Sequence, residues 1–261
     1  MARFDNKNIF LMPFKTLALA MCILCLSASY AAAANINVLC STALTGPLMT
    51  LVPEFEQATG HKVTIDFKIT KNIVELVRGG QRPDLIIVGN EAAADLEKEG
   101  KLVPNSRIDI GSTSVGIAVR NGAPKPDISS VDAFKQSLLS AKAIAVSKSG
   151  LSGVHFMRTV EKLGITNEMR PKLKLLEGSG RTADFVASGE ADVAVQLISE
   201  LIGVEGTEVV GPFPPGVDNT IILTSGVSVD AKEPAGASAL VSFLRSPSIK
   251  VKMKKTGINP M

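Results

Sequence analysis

Strand-like and helix-like segments alternate along most of the chain, and this alternation constrains the fold more than any other feature of the sequence. The first units read as strand 36–40, helix 48–57, strand 62–69, helix 72–78, strand 84–88 and helix 92–99. Gly60, Gly79 and Gly100 stand where these helices end, and glycine favours helix termination. Repeated units of this length predict an α/β fold with a mostly parallel sheet covered on both faces.

The second half of the chain repeats this alternation. Its apolar patterns predict strands at 114–120, 143–147, 192–196, 208–210 and 221–229, and helices at 130–140, 154–163, 181–188, 235–245 and 248–255. No regular element can cross residues 211–215, which read GPFPP. This number of elements fits two α/β lobes better than one long sheet.

We expect lobe 1 to comprise residues 35–113 plus 221–261, and lobe 2 to comprise residues 114–220. The chain would cross between the lobes in strands 114–120 and 221–229, which makes a two-segment hinge between mixed, mostly parallel sheets. The cleft between two hinged lobes is a natural place for a small ligand.

Residues 1–34 have the organisation of a secretory signal peptide. The segment begins with three basic residues, continues with the apolar run 16–26 and ends in small residues up to Ala34. The apolar run is shorter than the roughly 20 residues that a membrane span needs. We therefore expect cleavage after Ala34 and a periplasmic protein, with lipidation at Cys22 as the alternative.

Removal of this segment sharpens what the composition excludes. Cleavage would remove three basic residues and Asp5, which reduces the 28 Lys+Arg to 25 and the 25 Asp+Glu to 24. Cys40 would be the one cysteine that remains. A net charge of about +1 argues against nucleic acid as a partner. Trp is absent and the single Tyr is Tyr30, so platforms for base stacking are poorly supplied. We expect a monomer that binds a small anionic ligand by hydrogen bonds and charge.

A series of segments from Asn35 to the C-terminus carries a family resemblance. They are STALTGPL (41–48), RPDLIIVG (82–89), SVGIAVRNGAPKPDI (114–128), SGLSGVHF (149–156), VASGEADVAVQLISEL (186–201) and VVGPFPP (209–215). In order and spacing they resemble the molybdate-binding-like branch of the periplasmic type II solute-binding proteins. The resemblance implies the two-lobed fold of that family and, as its commonest role, delivery of a ligand to the permease of an ABC importer.

The resemblance also implies a grip on a tetrahedral dianion through serine hydroxyls, backbone N–H groups at helix starts and a tyrosine. This sequence departs from that pattern, because Ala43 stands where the first serine is expected and Lys71 stands at the second such position. A cation in the first turn opposes the helix dipole by about 0.3–1 kcal/mol. An anionic ligand at the same N–H groups would reverse that effect. These departures favour a polycarboxylate over molybdate.

The candidate ligand-binding residues follow the predicted strands, in loops that lead into helices. They are Ser41, Thr42, Thr70, Lys71, Ser149, Ser152 and Arg181. The loop 147–153 (SKSGLSG) supplies hydroxyls and backbone donors for an anion, and Ser152 is expected to cap the next helix. The planar guanidinium of Arg181 suits a carboxylate. The alternative is an ordinary strand–helix turn flanked by solvated surface cations.

His155 is the candidate catalytic base, since it lies one turn into the helix after this loop and imidazole titrates near neutrality. A surface histidine is the alternative interpretation. The sequence has no HExxH motif, cysteine cluster or carboxylate group at metal spacing. We therefore expect neither a metal site nor a cofactor.

Two functions fit these observations. One is a substrate-binding protein of an ABC importer for a molybdate-like oxyanion or a small carboxylate. The other is a periplasmic isomerase on the same scaffold, resembling the aconitate isomerases, which interconvert cis- and trans-aconitate by an allylic proton shift. Lys68, Lys71 and Arg181 would then hold the tricarboxylate while one base moves the proton. The exchange of serine for cations does not separate a carrier from an isomerase, but the loss of the expected oxyanion ligands argues against the family's commonest role and favours the isomerase.

Overall fold

The computed structural model describes residues 33–261, in which strands and helices alternate through one α/β unit from Ala34 to Met261. The predicted signal peptide and the alternative lipidation site at Cys22 lie outside the described residues. The strands are β1 Asn35–Ser41, β2 Lys62–Lys68, β3 Leu85–Gly89, β4 Ile108–Arg120, β5 Ile144–Ser147, β6 Leu173–Leu176, β7 Val193–Leu197, β8 Thr207–Pro212, β9 Thr220–Val227 and β10 Asn259–Pro260.

The helices of the same residues connect these strands. They are α1 Thr45–Thr59, α2 Thr70–Arg78, α3 Asn90–Lys98, α4 Val131–Ser140, α5 Leu151–Lys162, α6 Thr166–Met169, α7 Ala183–Ser188, α8 Ile198–Leu201, α9 Pro234–Leu244 and α10 Pro247–Lys254. Two short 3-10 helices, Thr42–Leu44 and Arg170–Lys172, complete the connections. None of the described helices is long and apolar enough to cross a membrane.

The strands form one mixed sheet in the order β2-β1-β3-β9-β4-β7-β5-β6, and β8 and β10 both pair with β4. Strands β2-β1-β3 are mutually parallel, as are β7-β5-β6. Strands β4 and β9 lie antiparallel to their neighbours. The α/β architecture predicted from the alternation is confirmed, but the sheet is not mostly parallel, because among the described strands β4 and β9 make five antiparallel pairings beside the four parallel ones.

Strand β4 is longer than the sequence pattern predicts. The predicted strand 114–120 is its second half, which pairs with β7 and β8, whereas residues 108–114 pair with β9. A single strand therefore lies between the two parallel groups, paired with β9 over its first half and with β7 over its second. The division into two lobes with a two-segment hinge stays a prediction.

The core explains why β3 is the clearest strand in the sequence. All five residues of its LIIVG run are buried. Leu85 and Ile87 pack into the main core with Phe55, whereas Ile86 packs with Ile73 in a second cluster. A strand that contacts apolar residues on both faces reads as a continuous apolar run, as in parallel sheets covered by helices.

Candidate functional site

A small polar pocket lies where the carboxyl ends of five strands meet. Its walls come from the ends of β1, β5, β6 and β7, from the residues that follow β2, and from helix α8. Ligands of open α/β sheets bind outside the carboxyl ends of the strands. The enclosed volume is about 10 Å³, enough for about one water molecule. A larger ligand therefore requires the walls to separate.

Hydroxyl groups dominate the polar part of the lining. They belong to Ser41, Thr42, Thr70, Ser147 and Ser152. Two helices begin among them, α2 with Ile69 and α5 with Gly150 as N-cap, and neither N-cap residue provides a side-chain cap. The first-turn N–H groups of a helix carry partial positive charge, which favours an anion at its N-terminus.

Helix α5 starts earlier than predicted, because Gly150 rather than Ser152 is its N-cap. The prediction that Ser152 caps this helix was wrong. The Oγ of Ser147 instead accepts a hydrogen bond from the N–H of Gly150 at 2.9 Å. A Cβ on Gly153 would lie 1.7 Å from the carbonyl oxygen of Ser147. Only glycine permits this close approach, so the chain can enter the helix directly after β5.

Gln196, at the carboxyl end of β7, fixes the loop that forms another wall. Its Oε1 accepts hydrogen bonds from the N–H of Thr182 at 2.8 Å and from the hydroxyl of Thr182 at 3.1 Å. Its Nε2 donates to the carbonyl oxygen of Gly180 at 2.9 Å. Gln196 and Thr182 are both buried. The loop therefore has a defined position beside the pocket.

Glu200, in helix α8, lines the same pocket and is the residue that sequence reasoning missed. Burial raises the pKa of this carboxyl to about 7, although hydrogen bonds from Thr42, the backbone of Leu197 and the side chain of Gln196 lower it. Such a group exists in both protonation states near neutral pH. The available signal was an acidic residue a few positions after the buried strand DVAVQ.

Comparison with known proteins identifies the scaffold. The family model of the bacterial extracellular solute-binding proteins matches residues 36–259. The chain belongs to this family. An aconitate isomerase from Pseudomonas sp. is 30% identical over 233 residues, covering 87% of this chain and 88% of the relative. The molybdate-binding protein ModA of Azotobacter vinelandii is 29% identical over 243 residues, covering 89% and 92%.

Solved structures of other solute-binding proteins share the fold. The Azotobacter vinelandii periplasmic molybdate-binding protein matches with a TM-score of 0.73 and 20% identity, over 85% of this chain and 98% of that one. The sulfate-binding protein SubI from Mycobacterium tuberculosis H37Rv matches with a TM-score of 0.70 and 19% identity, over 87% of each chain. The resemblance to molybdate-binding-like solute-binding proteins, read from the sequence, is thereby confirmed.

In this solute-binding protein the structure brings four predicted ligand-binding residues together. Ser41, Thr42, Thr70 and Ser152 all line the pocket. Ser149 is partly buried and precedes the lining residue Gly150, but it does not itself line the pocket. The serine and threonine residues at the strand ends thus converge as their positions after parallel strands suggest.

The predicted cations are not part of the pocket lining, although each follows a lining residue in the sequence. Lys71 follows the lining residue Thr70 and its Nζ is 3.8 Å from a carboxylate oxygen of Glu75. Arg181 follows Gly180 and its guanidinium is 2.9 Å from Asp184. Both cations are exposed.

Two further cations are next to lining residues in the sequence. Lys68, at the end of β2, pairs with Asp66 at 2.9 Å. Lys148, which sequence reasoning did not single out, follows the lining residue Ser147 and pairs with Glu177 at 2.8 Å. Lys148 is exposed, whereas Lys68 is partly buried.

His155 lies on α5 but is not part of the pocket lining. Its Nε2 lies 2.9 Å from the carbonyl oxygen of Val217, and its ring packs 5.7 Å from that of Phe213. These contacts tie α5 to the segment after β8. The imidazole of His155 is thus in contact with Val217 and Phe213. Its role as a base stays a prediction.

Residues 33–261 contain no cluster of three or more His, Cys, Asp or Glu side chains that could hold a metal ion. The polar groups of the pocket lining are hydroxyls, backbone N–H groups, one side-chain amide and one carboxyl. This donor set can bind an oxygen-rich anion and exchange a proton with it.

Proposed function

We propose that this solute-binding protein is a periplasmic isomerase of a small polycarboxylate, which interconverts cis- and trans-aconitate by an allylic proton shift. The observation that carries this function is a titratable carboxyl, Glu200, within a hydroxyl-lined pocket. A binding protein needs only complementary donors for its anion. A proton-shift enzyme also needs a group that takes and returns a proton near neutral pH. The relative named aconitate isomerase supports the same function.

Cations next to the lining residues in the sequence would supply the charge that a tricarboxylate requires. Lys71, Lys148 and Arg181 each adjoin a lining residue, and each now pairs with an exposed carboxylate at 3.8, 2.8 and 2.9 Å. Exposed ion pairs of this kind contribute about 0–1 kcal/mol. Exchange of such a partner for a ligand carboxylate therefore costs little, and the N-termini of α2 and α5 add further positive potential.

The proposed reaction needs no redox change. A base breaks a C–H bond at the methylene carbon of trans-aconitate, and the electron pair forms an allylic anion delocalised onto the neighbouring carboxylate. The same proton equivalent then returns to the carbon that was vinylic, so that the double bond moves by one position. The cations and helix N–H groups at the pocket would stabilise the anion as it forms.

Substrate entry would require the pocket to open, since its present volume is about 10 Å³. We propose that lobe 1, residues 35–113 plus 221–261, separates from lobe 2, residues 114–220, about strands β4 and β9. Gly89 of proposed lobe 1 lies close to the lining residue Leu151 of proposed lobe 2, since a Cβ on Gly89 would lie 3.5 Å from the Leu151 side chain. Opening at this contact would expose the hydroxyls of both walls.

A second function is favoured by the hydroxyl lining alone. Ser41, Thr42 and Thr70 on one side, with Ser147 and Ser152 on the other, would suit an oxyanion or small carboxylate that is handed to an ABC permease. The relatives named molybdate-binding protein support this alternative. In that case we expect a monomeric carrier without turnover.

Incubation of the purified protein with trans-aconitate, followed by NMR, separates the two functions. Formation of cis-aconitate is the expected result. Absence of turnover together with tight molybdate or sulfate binding in calorimetry would establish the carrier function instead. The double variant Lys71→Ala/Arg181→Ala should raise KM, while Lys98→Ala, which removes a similar exposed ion pair on α3, should leave it unchanged.

A further inference from the structure

We propose that Glu200 is the residue that carries the proton in the isomerisation, an inference that rests on the proposed function. Among the described residues that line the pocket, Glu200 is the one ionisable side chain. His155, the base predicted from the sequence, contacts Val217 and Phe213 instead. A proton carrier must reach the substrate carbon directly, and the lining position of Glu200 meets this condition.

Neighbouring groups hold the carboxyl of Glu200 in place. The hydroxyl of Thr42, the backbone of Leu197 and the side chain of Gln196 all act on this carboxyl and lower its pKa. Gln196 is itself anchored by Thr182 and Gly180 at 2.8–3.1 Å. Thr42 follows β1, whereas Leu197 and Gln196 end β7, so that donors from two parts of the sheet orient one carboxyl. A general acid–base residue needs this kind of orientation.

The surroundings also give Glu200 a suitable proton affinity. Burial raises its pKa to about 7, which lies near the pH at which both proton uptake and proton return proceed efficiently. The groups that act on this carboxyl by hydrogen bonding are uncharged. Its raised pKa in the free protein therefore reflects removal of the carboxyl from water rather than a neighbouring ion.

Charged residues on the elements packed against α8 have partners elsewhere. These elements are the 3-10 helix 42–44, α1, β4, β7 and β8, and residue 257 also approaches α8. Their charged residues and partners are Glu54 with Lys252, Glu56 with Lys62, Asp109 with Thr224, Arg120 with Val186 and Glu208 with Lys125. Lys254 and Lys255, shortly before Gly257, are exposed. Titration in the pocket near pH 7 is therefore assigned to Glu200.

The proposed step balances in atoms and electrons. The Glu200 carboxylate takes the proton from the methylene carbon, and the resulting carboxylic acid returns it to the formerly vinylic carbon. One C–H bond breaks and one forms, and the carboxylate is regenerated. A single group serving both carbons acts on one face of the substrate, so part of the transferred proton should be retained when the reaction is run in D2O.

The test compares Glu200→Gln with the wild-type protein and with the control Glu205→Gln, whose side chain is exposed. We expect Glu200→Gln to lower kcat by a factor of about 10²–10⁴. It should bind trans-aconitate as tightly as the wild type or more tightly, because a negative charge is removed beside a polyanion. Glu200→Gln should also abolish exchange of the methylene protons with D2O, whereas Glu205→Gln should behave like the wild type.

The pH profile gives a second readout that a merely structural role would not move. We expect kcat/KM of the wild type to rise with pH and to level off above an apparent pKa of about 7, because the free enzyme must hold the carboxylate. The apparent pKa in kcat should be higher, since substrate carboxylates disfavour ionisation of Glu200. Glu200→Asp should retain part of the activity and shift this profile.

The possible outcomes distinguish failure of the proposed role of Glu200 from failure of the proposed isomerase function. Near-wild-type turnover of Glu200→Gln, with an unchanged pH profile, would overturn the role of Glu200 and leave the isomerase function intact. A wild-type protein without turnover would overturn both. If Glu200→Gln does not fold, the wild-type profile decides, and a profile without an apparent pKa between about 6 and 8 would count against Glu200.

Discussion

Gln196 is bound to Thr182 through two hydrogen bonds, at 2.8 Å from the Thr182 N–H and 3.1 Å from its hydroxyl. Both residues are buried, so truncation of Gln196 would leave the Thr182 N–H without an acceptor and the Gly180 carbonyl oxygen without its donor. The Thr182 hydroxyl could still donate to the carbonyl oxygen of Val195. We expect Gln196→Ala to lower the free energy of unfolding by about 2–3 kcal/mol. Chemical denaturation measures this change. The exposed Gln57→Ala should change stability by less than about 0.5 kcal/mol, and an equal loss in both variants would refute the assignment.

Gly153 should not tolerate a side chain. A Cβ there would lie 1.7 Å from the carbonyl oxygen of Ser147, which is backbone and cannot rotate away. We expect Gly153→Ala to lose at least about 1–3 kcal/mol of stability and to weaken ligand binding, because the start of α5 must shift. Thermal unfolding and calorimetry test both effects. Gly46→Ala, whose Cβ would have ordinary contact at 3.9 Å in α1, is the matched control and should be tolerated.

Asp84 should require its charge even though it lies away from the pocket. Its Oδ2 accepts a hydrogen bond from the N–H of Asn37 at 2.8 Å, and its Oδ1 accepts from the N–H groups of Lys232 at 2.7 Å and Glu233 at 2.9 Å. The amide of an asparagine would turn an NH2 group toward one set of donors. Asp84→Asn should therefore lose about 2–3 kcal/mol in urea denaturation.

The control for Asp84 is Asp230→Asn, which removes one partner of an exposed ion pair with Arg82 at 3.8 Å. Exposed pairs contribute about 0–1 kcal/mol, so stability should hardly change. Similar losses in the two variants would mean that the buried hydrogen bonds of Asp84 do not depend on its ionised form.

Stability should fall as pH rises past the ordinary titration range of glutamate, because of Glu200. Its folded-state pKa is raised from 4.5 to about 7 by burial, so the folded protein binds more protons than the unfolded chain between these values. The free energy of unfolding contributed by this group therefore decreases across that window, by about 3 kcal/mol in total. Denaturation at pH 5 and pH 8 measures the change.

Comparison with Glu200→Gln isolates this contribution from those of other carboxyl groups. The free energy of unfolding of Glu200→Gln should not show this decrease with pH. The difference in stability between the variant and the wild type should therefore shift in favour of the variant from pH 5 to pH 8. Glu205→Gln, with an exposed side chain, should follow the wild-type curve. Parallel curves for the wild type and Glu200→Gln would show that Glu200 titrates alike in the folded and unfolded chain.

His155→Ala should lower stability while keeping most of the turnover. The variant loses the contact between Nε2 and the carbonyl oxygen of Val217 at 2.9 Å and the packing against Phe213. We expect a loss of about 1–2 kcal/mol in the free energy of unfolding. A loss of turnover comparable with that of Glu200→Gln, in a folded variant, would restore His155 as the base.

Local patterns predicted much of the fold, and the exceptions have local causes. Strand β3 was predictable because its continuous LIIVG run is buried on both faces. Strand β6 was not predicted, because its four residues LKLL are all partly or fully exposed and carry no clear period. Pairing with β5, which joins Leu173 to Ile144, defines β6. Tertiary pairing thus decided an element that propensity left open.

The site divides in the same way. Thr42, Thr70 and Ser152 were predictable as lining residues, since each follows a strand and lies near a helix start. No comparable sequence pattern marks Glu200, and only the titration range of imidazole suggested a catalytic role for His155. Helix α8 brings Glu200 to the pocket, whereas α5 directs His155 to Val217.

The amino-acid sequence by itself determined the alternation of strands and helices and the hydroxyl-rich loops at the strand ends, because both depend on residues close together in the chain. Only the tertiary structure decided that Thr42 and Gln196 meet Glu200 in one pocket. It also decided that this carboxyl titrates near neutral pH. Burial sets this pKa, and it arises, like the contact with Thr42, from segments that are distant in the chain and adjacent in the fold.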